Sequence, residues 1–283
     1  MGDSSRNVVE IIFRTSWMTA AATGGRKDMQ VLQVTGAVKI ERVLKVNNLP
    51  RTLARFEAYR DGVKMKAGKL IPKKHPRCLA DGNELLRFYA AKLECGLVSS
   101  IEAASNPSGE YKTNDMNAAS RSGTPPSSLP FGAACSSPTC SICRIIRSGF
   151  SKSRAPDGSN RGILTTATSG RAHDILQQKM TSSGESLSNN NYGTGRNLMA
   201  MLVCRVIAGR VQKPAASGVL DTVGFDSVAG GDTSVASTSS SHYSLTEAAA
   251  VGLHSRFEEL TVFSPRAILP CFVVLYSCAA NKP

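Results

Sequence analysis

Three groups of residues in this chain have types and spacing that could do chemistry. The first is sulfur: Cys78, Cys95, Cys135, Cys140, Cys143, Cys204, Cys271 and Cys278. Cys135, Cys140 and Cys143 fall in a C-x4-C-x2-C pattern, with Cys95 as the available fourth thiolate. Cys140 and Cys143 are three apart and would project from one helical turn. A tetrahedral zinc site takes four such ligands. No Cys-x2-4-Cys…His-x3-5-His pattern accompanies them, because the first histidine after Cys143 is His173. Cys204, Cys271 and Cys278 sit in strand-like apolar runs and read as small buried hydrophobes. The second group is Glu258-Glu259, in FEELTVF at 257–263. On a strand, alternation sends Glu258 with Leu260 and Val262 to one face and Glu259 with Thr261 and Phe263 to the other. One carboxylate at most can enter a cleft; the other reading is an edge pair that discourages sheet association. The third is SGRAHD at 169–174. Ser169 suits the N-cap of a helix over 170–179, and His173 on that helix reads as a surface or packing residue rather than a general base.

The elements that must position these groups follow from periodicity. VKIERVLKV at 38–46 alternates as a strand, and Pro50 suits the first turn of a helix. Leu53, Phe56, Arg60, Val63 and Ala67 then recur at helical spacing, with Arg55, Lys64, Lys66 and Lys69 on the wet face. LVCRVIAGRV at 202–211 and FEELTVFSPRAILPCFVVLY at 257–276 read as strands, rich in Val, Ile, Leu and Phe and bounded by Gly, Pro and Ser. RNVVEIIFRTSW at 6–17 is read as a strand ending in the only tryptophan, and 18–37 as a mobile connection. Segments 102–134, 181–197 and 229–245 are rich in Ser, Asn, Gly, Thr or Pro. They read as disordered insertions that cannot repay the entropy of ordering through burial.

The 283 residues can bury a sizeable core. No apolar run is long enough to cross a bilayer, and the polar N-terminus argues against a secretory signal. The expectation is a soluble intracellular protein, nuclear or cytoplasmic, with no membrane partner. The net charge is +13, and residues 1–80 carry 16 Lys or Arg against 6 Asp or Glu. A lobe that basic favours nucleic acid or another polyanion by counterion release. The alternative is a solvated face that serves solubility.

Taken in order, IERVLKVNN with its following helix, NELLRFYA (83–90), GILTTATSGRAHD (162–174), LVCRVIAGRV, GFDSVAG (224–230) and EELTVF resemble the catalytic domain of poly(ADP-ribose) polymerases. They are most similar to a plant group with a divergent copy of that domain, often labelled C2H2-like zinc-finger proteins. The resemblance spans the segments between 38 and 278 outside the insertions. It implies an α+β, ADP-ribosyltransferase-like fold: two splayed, mainly antiparallel sheets with flanking helices and NAD in the cleft between them. The domain would occupy 38–283, with 1–37 as an N-terminal strand and connection.

The resemblance also implies site residues. The family's His-Gly-Thr lines up with Tyr89-Ala90-Ala91, and its Gly-Ile-Tyr with Gly162-Ile163-Leu164. Glu259 falls at the catalytic glutamate, and Ser169 at the serine that contacts the nicotinamide amide. GFDSVAGG resembles the loop and strand bordering the nicotinamide side, and is otherwise a turn whose glycines permit positive φ. Tyr89 has a different reach from imidazole, Ala90 adds a Cβ where backbone must approach closely, and Leu164 cannot stack. Losing the stack removes about 0.5–1.5 kcal/mol and losing the hydrogen bond about 1 kcal/mol. Together these weaken NAD binding by roughly two powers of ten. Family members place a helix without metal duty at SICRIIRSGF (141–150), so the expectation is against zinc. The reading is a transferase-fold protein of weak or absent catalysis with a regulatory or interaction role and a protein partner. The alternatives are an active NAD-dependent mono-ADP-ribosyltransferase using Glu259 and a basic nucleic-acid-associated protein.

Overall fold

The computed structural model describes residues 3–15, 17, 38–70, 75–91, 93, 95, 128–129, 134–138, 140–151, 153–154, 160–182, 198–212, 224–230 and 258–278. The connection at 18–37 and nearly all of the three low-complexity insertions lie outside them.

In chain order the elements are α1 (Asp3–Thr15), β1 (Val38–Val46), α2 (Pro50–Gly68), α3 (Pro76–Asp81), β2 (Glu84–Ala91) and β3 (Ser128–Leu129). Then come α4 (Ser141–Ser148), β4 (Ser153–Arg154), β5 (Asn160–Arg161), β6 (Ile163–Thr166), α5 (Ser169–Ser182) and β7 (Leu198–Ile207). The chain continues through β8 (Val211–Gln212), β9 (Ser227–Ala229), β10 (Glu259–Val262), a 3₁₀ turn at Pro265–Ala267, and β11 (Ile268–Cys278). The fold is mixed α+β. Nine strands join in one sheet, in the order β3-β1-β11-β7-β2-β6-β10-β9-β8. The β1–β3 and β8–β9 pairs are parallel and the others antiparallel. Among the described residues, the β4–β5 ribbon stands apart from it.

Where two splayed sheets were expected, the described strands form one large sheet joined through one contact. Five strands from β3 to β2 and four from β6 to β8 are joined between β2 and β6 at Phe88 and Thr166. That one residue pair makes a continuous ladder, while leaving the two halves narrowly joined.

Both faces of the sheet are covered, which is why its central strands are almost wholly apolar. Along β7, Ala200, Leu202 and Cys204 enter a core shared with Phe56 and Val63 of α2 and Ile142 and Ile145 of α4. The alternate residues Met199, Met201 and Val203 meet Val9 and Phe13 of α1 and Ala172 of α5 on the other face. β11 divides likewise, with Val273 and Leu275 on the first face and Val274 and Tyr276 on the second.

Residues 3–15 are helical, which overturns the expectation of an N-terminal strand. Val9 and Phe13, four apart, are both buried, as one helical face requires. Arg6 and Glu10 pair at 2.9 Å on the same four-residue spacing. α2 starts at Pro50 as expected and buries Phe56, Val63 and Ala67, but Leu53 is exposed. Arg51, Arg55, Lys66 and Lys69 stand in solvent.

Candidate functional site

The register of the sheet places the residues singled out in the sequence. Thr166 lies opposite both Phe88 of β2 and Glu259 of β10, and Leu164 lies opposite Thr261. Directly opposed residues point to the same side. Phe88 belongs to the α1/α5 face, so Glu259, Leu164 and, by alternation, Ala90 belong to that face as well. Tyr89 is turned to the other one. Its ring meets Phe150 edge-on at 5.1 Å and packs on the α2/α4 core. Burial pushes its phenol pKa up, with Arg144 opposing the shift. The sheet therefore brings Glu259, Leu164 and Ala90 to one side and holds Tyr89 on the other.

Glu259 is committed to a partner that sequence reading missed. Arg171, on the first turn of α5, meets its Oε1 through Nε at 2.7 Å and through its terminal nitrogen at 2.5 Å. The Glu259 side chain is 12% exposed and that of Arg171 38%. Glu258 accepts a hydrogen bond from the Thr168 hydroxyl through its carboxylate. Its carbonyl receives Ala167 N–H at 2.7 Å and the buried Arg87 guanidinium at 3.3 Å. Burial is the main effect on Arg87, lowering its pKa, and the neighbouring Glu258 opposes it.

Ser169 is fully buried and donates its hydroxyl to the Phe13 carbonyl of α1 at 2.6 Å. The cap expected of it is made by Thr168, whose Oγ1 receives Arg171 N–H at 3.4 Å. His173 is a packing residue. Its Nδ1 lies 3.0 Å from the Tyr276 hydroxyl, its Nε2 3.2 Å from the Gln177 amide, and its ring 5.0 Å from that of Trp17. Burial lowers its pKa below the usual imidazole value, with Asp174 opposing.

GFDSVAG closes the far end of the sheet. Asp226 accepts the Arg210 N–H at 3.0 Å, Ser227 donates to the Ala208 carbonyl at 2.6 Å, and Gly230 N–H reaches the Glu259 carbonyl at 3.0 Å. These are turn-closing bonds, with Gly224 at φ 83° and Gly230 at φ 100°.

On the α2/α4 face the cysteines come together. The sulfurs of Cys95, Cys135, Cys140 and Cys143 all lie within 4.8 Å of one another, so the four could hold a metal ion. That does not support the expectation against zinc. The Cys95 and Cys143 sulfurs are 3.5 Å apart, and those of Cys140 and Cys95 are 3.6 Å apart. None of the four is in a disulfide. Hydrogen bonds with Cys140 and Cys95, then burial, push the Cys143 thiol far up. Cys95 was discernible only as a leftover cysteine, since it is far from the others in sequence. Cys204 is fully buried and Cys271 and Cys278 partly so, close to the expected packing roles.

No helix among the described residues is long and apolar enough to cross a membrane. Compared with known proteins, the chain matches no family model and no curated protein.

Proposed function

We propose that this chain is an ADP-ribosyltransferase-like module that has lost transfer chemistry and acts in regulation or interaction. The observation that carries the reading is the commitment of its would-be catalytic groups to internal partners. Glu259 is bound by Arg171, the Ser169 hydroxyl is spent on the Phe13 carbonyl under α1, and Tyr89 packs against Phe150 on the opposite side of the sheet. A transferase needs its carboxylate and its ring-stacking and amide-holding groups around one nucleotide, because orientation supplies much of the rate. Here Glu259 and Ser169 are engaged inside the protein, Leu164 has no ring to stack, and Tyr89 faces away from Glu259 across the sheet.

Two features support the scaffold half of the reading. The five-strand and four-strand halves meet at one residue pair, as two sheets diverging from a common junction would. The motif order also follows that of the transferase domain. The interaction role rests on the exposed basic residues Arg51, Arg55 and Lys66 of α2 and Lys69 just after it, which suit an acidic protein surface or another polyanion.

Calorimetric titration of NAD into the purified chain tests the proposal. The expected result is no saturable heat in the micromolar range. Micromolar binding accompanied by automodification would overturn it in favour of an active mono-ADP-ribosyltransferase.

A further inference from the structure

The four clustered thiols lie away from Glu259, on the opposite side of the sheet, and take no part in the reading above. We propose that Cys95, Cys135, Cys140 and Cys143 bind one zinc ion as a tetrathiolate, fastening the chain after β2 to the start of α4. The inference stands whether or not the module binds NAD.

Distance is the first argument. A tetrahedral zinc thiolate site has metal–sulfur bonds of about 2.3 Å, which sets sulfur–sulfur edges near 3.8 Å. Two of the separations are 3.5 and 3.6 Å, and none of the six exceeds 4.8 Å. A disulfide, by contrast, would need sulfurs at about 2.05 Å. All the sulfur pairs therefore fall at the scale of such a site.

Ligand chemistry is the second. Four sulfurs with no carboxylate or imidazole form a soft donor set that suits zinc or iron over calcium and magnesium. With four protein ligands there is no open coordination position for water, which defines a structural site and not a hydrolytic one. Cys140 and Cys143 are completely buried, which keeps solvent and competing ligands from half of the coordination sphere.

The backbone supplies the third. Cys140 is the N-cap residue of α4, and its side chain makes no capping bond. Cys143 lies in the first turn, one helical turn on from Cys140. Arg147 reaches back from α4 to the Ser137 carbonyl at 3.4 Å and to the Cys143 carbonyl at 3.4 Å. It thereby holds Ser137, two residues after Cys135, against the helix. With 8 residues, α4 is too short to be stable alone. It needs a tertiary anchor, and metal binding to such a site is itself folding free energy.

The test measures metal in the chain purified without chelator or added metal. One zinc per chain is expected by mass spectrometry, with X-ray absorption at the zinc edge showing only sulfur neighbours at about 2.3 Å. Cys140→Ser and Cys143→Ser should each lose the zinc, while Cys271→Ser, outside the cluster, retains it. If the cluster variants fail to fold, cobalt-exchanged wild-type protein carries the test. It should show sulfur-to-cobalt charge-transfer bands and strong tetrahedral ligand-field bands. A folded chain without metal, iron or copper in place of zinc, nitrogen or oxygen neighbours in the absorption data, or zinc retained by both cluster variants would each overturn the proposal.

Discussion

Replacing Gly162 by alanine sets two opposing effects against each other, and the structure decides between them. Gly162 stands immediately before β6 and outside the left-handed region, so alanine meets no backbone penalty there. On that ground alone the substitution should stabilise by about 0.4–1 kcal/mol, because the unfolded chain loses freedom. A Cβ at this position, however, would lie 2.9 Å from the Val262 carbonyl oxygen and closer still to Thr261 Cγ2. The threonine methyl can rotate away, but the carbonyl belongs to β10 and cannot move without disturbing the ladder. Overpacking of this kind costs about 1–3 kcal/mol. The clash therefore wins, leaving a net loss of about 1–2 kcal/mol once the entropic gain of 0.4–1 kcal/mol is offset. Urea unfolding followed by circular dichroism should show a midpoint lower by roughly 0.3–2 M, given slopes of about 1–3 kcal/mol/M. Combining the change with Thr261→Ser should recover part of the loss and not all of it. A Gly162→Ala midpoint at or above wild type would refute the close approach of β6 and β10.

The other predictions concern the charged and titrating groups. Arg171→Ala should destabilise by about 1–2 kcal/mol, the lower part of the range for a buried carboxylate left unpaired, because Arg171 itself is 38% exposed. Arg171→Lys should recover only part of this, since lysine lacks the fork that meets Glu259 from two nitrogens. Neither variant should gain NAD transfer. Because the His173 pKa is depressed in the folded chain, the native state binds fewer protons than the unfolded one. Its stability is full above the ordinary value of 6.5 and declines as pH falls below it. His173→Gln should flatten that decline in thermal unfolding scans; an unchanged slope would place the titration elsewhere.

How much could be read from the chain depended on how far apart the deciding residues lie. β1 was legible because VKIERVLKV alternates and ends at Asn47-Asn48, and α2 because Pro50 marks its first turn. The strands of 202–211 and 257–276 were legible from their β-branched content, although the break at Pro265–Ala267 that separates β10 from β11 was not. VVEIIF in α1 is a short apolar run that suits a strand or a helix. What decides it is tertiary: Phe13 is buried against Tyr276, with ring centroids 5.2 Å apart. The placement of Tyr89 away from Glu259 depends on one pairing, Phe88 with Thr166, and no local pattern encodes that register. Arg171 and Glu259 are 88 residues apart, so their ion pair left no sequence signal. Cys140 and Cys143 showed their shared turn in their spacing, but Cys95 reaches them only through the folded chain.

The most direct test of the central claim is incubation of the purified chain with radiolabelled NAD, beside its Glu259→Gln variant. Wild type and variant should both remain unlabelled. Label that appears on the wild-type chain and disappears with Glu259→Gln would show that the carboxylate held by Arg171 still performs transfer, and would contradict the account.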